Sequence, residues 1–576
     1  MRKVMLSGVA LAVVVTLAAC GGGGGGNNNT PMVTVSPATA NLQEGSTLQF
    51  AATVTNSSSG VNWLVNGVAG GNSSSGTISS SGLYTAPVVI PSPASITITA
   101  QLQSSSTVSS NAVVTITAVQ FSNASLKGNY VFSLKGIDAS GFAFYAVGTV
   151  TADGNGNITG GEEDLNDVGS GYFTTTSVTG TYAVGADGRG GLTLTSSIGS
   201  FAYAFAMRGL TNAGLNEIDN NVINAVGNLE QQTSGVTAPS GNYAFGFSGS
   251  GLGCVSISSA GVFDLSGTTV GGTQDVNCSG NIAQSQSLTG TYSAIDALGR
   301  GTGSFSAATG TSSFIYYVVS PSHYRFICPD AATFFLGSAD LQTQPTFAVT
   351  DFNGNYVIST SANTVAGISN TVMQLNASGG SISTGYYDVN DTGVVGTSSL
   401  TGAYSVASNG RVSGSFTVSN FPLPFTMYMI SPSQAYYLDL RANAVGSGNV
   451  YAQSSAVTTN AAWAGSYATL QFGYFVVSGV ITPSNSTSIS GQISADGNGT
   501  LAGTLDINDP SSVFTAVNLQ GTYSVGTVAP GRTTVAITTT TEGTRNYIAY
   551  IVSPTQVQLL EVDSNLTSGG DAIRQF

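Results

Sequence analysis

A fourfold internal repeat limits the fold of this 576-residue chain more than any other feature. Gly128-Asn129-Tyr130, Gly241-Asn242-Tyr243, Gly354-Asn355-Tyr356 and Gly465-Ser466-Tyr467 open four stretches, their tyrosines 111 to 113 residues apart. Asp-x-Asn follows in each, beginning at Asp164, Asp275, Asp388 and Asp506, then a Gly-Thr-Tyr-like step at Tyr182, Tyr292, Tyr404 and Tyr523. A Gly-Arg pair comes next, at Arg189, Arg300, Arg411 and Arg532. Each copy then carries a late aromatic stretch: FAYAFAM, SFIYYVVSP, PFTMYMISP or RNYIAYIVSP. Ordered landmarks kept in four copies define four like units. A unit of about 110 residues is too long for a propeller blade or a solenoid coil and has the size of a domain.

Within a copy, about eight short apolar-polar stretches alternate with turn residues. Asp153-Gly154-Asn155-Gly156 and Asp496-Gly497-Asn498-Gly499 read as hairpin turns, because Gly and Asn tolerate positive φ. No amphipathic helix interrupts them. The expectation is an all-β chain whose repeats are eight-stranded up-and-down barrels, which leave no open edge; Greek-key sandwiches are the alternative. The late strand is apolar on both faces, as in Phe314 to Val319. One face would enter the barrel and the other would pack on a neighbouring copy or on the tether. The Gly-x-Tyr opening resembles the Gly-x-Trp start of lipocalin- and avidin-like barrels, a likeness of one short motif that carries no site.

The N-terminus carries an address. Arg2 and Lys3 precede a short apolar run, Val9 to Leu17, and Leu17-Ala18-Ala19-Cys20 resembles the lipobox of bacterial lipoproteins. The resemblance implies cleavage before Cys20, acylation of that cysteine and anchoring by lipid alone. Gly21 at the next position, where an aspartate retains many such lipoproteins at the inner membrane, points to the outer membrane, facing the periplasm or the surface. Six glycines and three asparagines then form a flexible tether. Residues 33–118 alternate like short strands, and Gly76 to Pro87, GTISSSGLYTAP, resembles a motif of bacterial immunoglobulin-like domains, implying a β-sandwich stalk. The expected segments are thus 1–19 signal, 20–32 lipidated cysteine and tether, 33–118 sandwich, and repeats at 126–233, 239–345, 352–455 and 463–576.

Charge excludes one class of partner. The formal net charge is −14, and loss of Arg2 and Lys3 with the signal deepens it, which argues against nucleic acid and against anionic surfaces. Only 7% of residues are charged, against roughly 25% in an average domain, so solubility rests on Ser, Thr, Asn and Gly. Such a surface suits an acidic extracytoplasmic setting.

Candidate chemistry is sparse. GTYAVGADGRGG, Gly180 to Gly191, crowds glycines round an arginine like a phosphate loop, but strand-like sequence follows it where a phosphate site needs a helix. Arg189, Arg300, Arg411 and Arg532 are read as structural, each pairing with an acid or free carbonyls of its own copy. Asp164, Asn166, Asp167, Asp388, Asn390, Asp391, Asp506, Asn508 and Asp509 are read as turn-forming residues, with calcium ligation, which the spacing of their oxygens would suit, as the alternative. An EF-hand's central glycine and distant glutamate are missing. Glu162, Glu163 and Asp164 form the densest acidic cluster, expected to be a solvated patch, with a glycosidase pair as the competing idea. His323 is the sole histidine and is placed at a turn; without a second, triads and histidine-rich zinc sites fall away. Cys254, Cys278 and Cys328 all fall in the second copy, with Cys254–Cys278 the favoured bridge across one hairpin and Cys328 a buried thiol. No catalytic residue and no cofactor signature emerges. The expected roles are structural or adhesive, with glycan or small-molecule binding by the repeats as the alternative and a carbohydrate-active enzyme last.

Overall fold

The computed structural model describes residues 29–219, 224–251, 253–308, 310–330, 332–454, 457–510, 512–527 and 529–576. Cys20 and most of the tether lie outside these. Among the described residues the only helical elements are four single 3-10 turns; everything else regular is strand. The chain divides into two compact units, one built largely from residues 29–116 and one running from Thr117 to Phe576.

The first unit contains a five-stranded, a four-stranded and a two-stranded sheet. The long strands Ser95–Leu102 and Ser109–Thr117 alternate strictly between buried and less buried positions. Their buried faces join Phe50, Trp63, Val65 and Tyr84 in one core. Period-two patterning of this kind is what a strand needs to bury one face only.

The second unit holds four antiparallel barrels, each with its strands in chain order. Barrel 1 runs from Lys127–Ile137 to Asn224–Gln231, barrel 2 from Gly241–Gly251 to Thr333–Leu341, barrel 3 from Gly354–Thr364 to Ala444–Ala452, and barrel 4 from Ala464–Phe475 to Leu566–Arg574. Barrels 2, 3 and 4 close through pairing of their first and eighth strands. Barrel 1 closes as well, but its fourth strand is broken into Gly171–Thr175 and Thr179–Val184, both paired with Asn157–Asp167. The up-and-down topology is therefore the one present, and the Greek-key alternative is not.

The repeated motifs have local physical reasons. Gly128, Gly241, Gly354 and Gly465 sit at φ of 110°, 108°, 124° and 119°, conformations that side chains other than glycine's disfavour. Two residues on, Tyr130, Tyr243, Tyr356 and Tyr467 are almost wholly buried in the four cores. The second tyrosine series fastens the same end of each barrel. Tyr182 donates to Leu126 O, Tyr292 to Pro239 O, Tyr404 to Phe352 O and Tyr523 to Trp463 O. Each bond satisfies a carbonyl on the segment that enters the barrel, so the phenol is buried at little cost.

Candidate functional site: the barrel junctions and the clefts they form

Gly-Arg and Asp-x-Asn meet at the contacts between barrels. Gly188, Gly299, Gly410 and Gly531 turn the chain at φ of 83°, 90°, 86° and 82°, and the arginine after each begins the fifth strand. That arginine leaves its own barrel. Arg300 of barrel 2 grips Asp164 of barrel 1, Nε–Oδ2 2.7 Å and Nη2–Oδ1 3.0 Å. Arg411 of barrel 3 holds Asp275 of barrel 2 at 2.6 and 3.0 Å, and Arg532 of barrel 4 holds Asp388 of barrel 3 at 2.7 Å twice. The two-pronged geometry is the strongest form of carboxylate recognition. A tyrosine from the late aromatic strand completes each acid: Tyr317 donates to Asp164, Tyr428 to Asp275 and Tyr550 to Asp388. Burial pushes Asp164 up, but its bonds to Arg300, Tyr172 and Tyr317 outweigh burial and hold the carboxyl below its ordinary value.

For Arg300, Arg411 and Arg532 the expectation of a partner within the same copy is thus corrected: the partner is the preceding copy's aspartate. Sequence alone could not show this, because every copy carries both halves of the pair.

The asparagine of Asp-x-Asn works beside the acid. Asn277 Nδ2 donates to Asp439 O, Arg441 O and Ala444 O of barrel 3 at 2.8 to 3.1 Å. Asn390 does the same with Glu561, Asp563 and Leu566 of barrel 4, and Asn166 with Cys328, Asp330 and Thr333 of barrel 2. An amide facing three carbonyls is a donor site, not an oxygen ligand for a cation, so the Asp-x-Asn amides act as inter-barrel clamps rather than as calcium ligands. The turn role persists beside the clamp: Asn277 and Asn390 Oδ1 accept the amides of Gly280 and Gly393, and Asp167, directly after the motif, accepts those of Gly169 and Ser170. Asp391 accepts Thr364 Oγ1, and Asp509 accepts Thr487 Oγ1.

A third repeated clamp was missed in the sequence. The residue directly after each eighth strand is Gln232, Gln342, Gln453 or Gln575, and each amide donates to two carbonyls of the next barrel. Its recurrence at the end of every copy was the available signal.

These contacts run 1 to 2, 2 to 3, 3 to 4, and back to 1. Arg189 of barrel 1 meets Asp506 of barrel 4, Nη1–Oδ2 3.0 Å, and Gln575 of barrel 4 reaches Asp187 O and Met207 O of barrel 1 at 3.0 Å. A head-to-tail interface whose rotation closes gives a ring, here within one chain. Its seam is the odd junction. Ala206 replaces the tyrosine, and Arg189 divides itself between Asp506 and Asp187 of its own copy. Apolar clusters fill the other three junctions, whereas Asn216, Asn224 and Ser488 hydrogen-bond across the seam and Arg208 pairs with Asp571.

Glu162, Glu163 and Asp164 are not a solvated patch: all three are buried, at 4%, 4% and 0% exposure. Successive strand residues point to opposite faces, so Glu163 enters barrel 1 while Glu162 and Asp164 face barrel 2. Burial, then the Asp296 charge, raises Glu162 to about 8, and burial, then Asp164, raises Glu163 to about 7. His323 begins a strand rather than sitting in a turn, and stands in an ion network joining three barrels. Its Nδ1 lies 2.8 Å from Asp340, Arg325 Nε bonds Glu230 of barrel 1 at 2.7 Å, and Tyr436 of barrel 3 donates to Asp340. Cys254 and Cys278 are joined by a disulfide, and Cys328 is a buried thiol that burial pushes up.

Two spaces remain. The interior of barrel 2 leaves about 20 Å³ among Phe245, Phe263, Phe305 and Phe326, scarcely room for one water. Outside, an open cleft of about 620 Å³ lies where barrels 1 and 2 meet. Tyr172 of barrel 1 forms one wall; Thr291, Ser293, Arg300, Thr302 and Ser304 of barrel 2 form the others. Tyr172 is fixed there by its bond to Asp164, at 2.5 Å. No group of three or more acidic, histidine or cysteine side chains able to hold a metal occurs among the described residues.

No known protein family and no curated protein matches the sequence. Solved structures with some likeness include intact Ap-TbpB with its N and C lobes, at 10% identity over 63% of this chain and 83% of that one, TM-score 0.17. Transferrin Binding Protein B from Haemophilus parasuis Hp5 shows 10% identity over 65% of this chain and 86% of that one, TM-score 0.18. The isotype 1 protein from serogroup B Neisseria meningitidis shows 11% identity over 65% and 83%, TM-score 0.19. Likeness this slight carries no argument about what the ring does.

Proposed function

We propose that this chain is a lipid-anchored envelope protein that works as a rigid interaction scaffold, not as an enzyme. Under this reading Cys20 carries the lipid, residues 33–118 form an immunoglobulin-like stalk, and the four repeats form the presenting head at the outer membrane. The observation that supports it is the use of the repeated motifs. The repeated arginines, the aspartates they grip, the Asp-x-Asn amides and the closing glutamines all hold barrels together, which is the economy of a scaffold. The acids that suggested glycoside chemistry support no cleft: Asp164 is locked to Arg300, and Glu162 and Glu163 point to opposite faces of one strand. A glycan or protein surface is the proposed partner; nucleic acid is not.

Acylation is tested by labelling cells with a fatty-acid analogue, where loss of label in Cys20→Ser is expected and an unlabelled parent sinks the anchor. The scaffold role is tested by screening the whole mature chain against glycan and matrix-protein arrays; a complete absence of binders counts against it.

A more specific reading places a neutral glycan in the cleft between barrels 1 and 2. It is supported by a fixed aromatic ring opposite rows of hydroxyls, with the single guanidinium already neutralised by Asp164. Tyr172 is particular to this junction, since Gln284 of barrel 2 and Thr397 of barrel 3 approach the arginine at the next two. Tyr172→Ala is expected to abolish glycan retention, and unchanged retention would remove the reading.

A further inference from the structure

We propose that one face of the ring docks on an uncharged lipid surface, a property beyond the scaffold reading and independent of the anchor at Cys20. In an up-and-down barrel the hairpins joining strands one to two, three to four, five to six and seven to eight leave the same end. The clamps fix how those ends are arranged. Asn166, Asn277 and Asn390, at the close of third strands, reach the seven-to-eight hairpins of the next barrel. The glutamines after the eighth strands bind at the other end. All four barrels therefore point one way, and their odd-numbered hairpins share a face. The first hairpins meet around the ring. Asn363 Nδ2 donates to Ser256 Oγ at 2.8 Å, a methyl on Gly141 would lie 3.3 Å from Pro483 Cβ, and one on Gly367 would lie 3.5 Å from Ile481 Cδ1.

That face is where the barrels expose their large apolar side chains. Among the described residues there are ten, and all but Leu210 lie on it. Phe142 and Phe173 project from barrel 1, and Val255 from barrel 2, 90% exposed. Barrel 3 presents Val365 at 92% and Phe421 at 71%, with Val394 and its neighbour Val395; barrel 4 adds Val477 and Val480. Isolated exposed apolar residues are ordinary, but confinement to one face marks an interaction surface.

Charge and shape select the occupant. Acids in these hairpins turn back into their own loops: Asp138 accepts the amides of Ser140 and Phe142, and Asp167 those of Gly169 and Ser170. Arg441 is folded onto Asp439. The exposed apolar tips therefore stand among neutral Ser, Thr, Asn and Gly residues such as Ser140, Ser170, Asn420 and Ser478. They stand as separate tips around a ring, not as one groove, which matches a flat fluid surface better than a rigid protein. A net charge of −14 opposes anionic headgroups, so neutral lipid is the fitting surface.

The test uses the mature chain, residues 20–576 with Cys20→Ser and so without signal or acyl group, and phosphatidylcholine vesicles in a sedimentation assay. Binding is expected, with little change between low and high salt, since no charge pair is screened. The triple variant Phe142→Ser, Val365→Ser, Phe421→Ser should lower binding about tenfold, because affinity follows the buried apolar area. Leu210→Ser, on the opposite face, should leave it unchanged. In case the triple variant misfolds, Phe421→Trp supplies a second readout, quenched by spin-labelled lipid if the tip inserts. Failure of the parent to sediment, triple-variant binding equal to the parent's, binding to anionic vesicles alone with loss in salt, or an unquenched tryptophan would each overturn the proposal. None of these outcomes bears on the glycan cleft, whose failure would show only in the Tyr172 experiment.

Discussion

Arg300 and Asp164 lie 136 positions apart in the chain and on different barrels, yet they make a two-pronged ion pair whose acid is fully buried. At the seam the equivalent pair, Arg189 and Asp506, uses one guanidinium nitrogen and has no tyrosine behind it. Removing one member of a buried pair strands the other, at a cost of about 3 to 5 kcal/mol. Arg300→Ala is therefore expected to lower the melting temperature clearly, and Arg189→Ala to lower it less. Thermal melts of the two variants decide this, and equal losses would contradict the distinction between seam and junction.

The C-terminal residues act as the latch of the ring. Gln575 Nε2 bonds two carbonyls of barrel 1, and Phe576 packs on Phe121 with ring centroids 4.9 Å apart. Deleting Gln575 and Phe576 should open the seam while the apolar junctions hold. Small-angle scattering is expected to show a larger radius of gyration with unchanged strand content by circular dichroism. An unchanged radius would mean that the seam stands without its latch.

Stability should fall from mildly acidic to alkaline pH. Burial first, then neighbouring acids, raises Glu162 to about 8 and Glu163 to about 7; burial, then Asp509, raises Glu542 to about 8. Between their ordinary value of 4.5 and these, the folded state binds more protons than the unfolded, so stability declines as pH climbs. Burial and Arg325 push His323 down, but Glu230 and Asp340 outweigh them and raise it to about 9. Its contribution is complete below its ordinary 6.5 and is lost as pH rises through about 9. Asp164 and Glu230, held low, act oppositely and weaken the fold only in stronger acid. Melting curves should therefore peak near about pH 5 and drop towards about pH 9. A maximum on the alkaline side would show that these acids are ionised in the fold.

The Cys254–Cys278 bridge closes a loop of 24 residues' separation, worth about 3.5 kcal/mol by chain-entropy reasoning. Cys254→Ser should destabilise barrel 2 by roughly that amount, measured by denaturant unfolding with and without reductant. Loss of the whole ring's assembly would give the bridge a larger part than reinforcement.

Much of the fold was legible in the sequence because its causes are local. Period-two alternation, Asp-Gly-Asn-Gly turns and Gly-x-Tyr openings act within one hairpin, and their fourfold recurrence separates signal from chance. The doubly apolar late strand even indicated a second burial surface, now seen where Ile315, Tyr317 and Val319 pack on Val131 and Val147. What each polar motif holds was not legible. Asp164, Asn166 and Arg189 look like turn, ligand or loop residues when read within one copy, and the acids beside them look solvated.

The sequence by itself determined the strands, their fourfold repetition and the sites of repeated polar groups. Only the tertiary structure decided that each arginine crosses to the preceding barrel's aspartate and that the chain of barrels closes on itself. The physical reason is that a repeat supplies complementary faces in every copy, leaving self-pairing, an open string and a ring equally compatible with local sequence. Which one forms depends on the rotation between packed barrels, a quantity set by side-chain contacts more than a hundred residues apart.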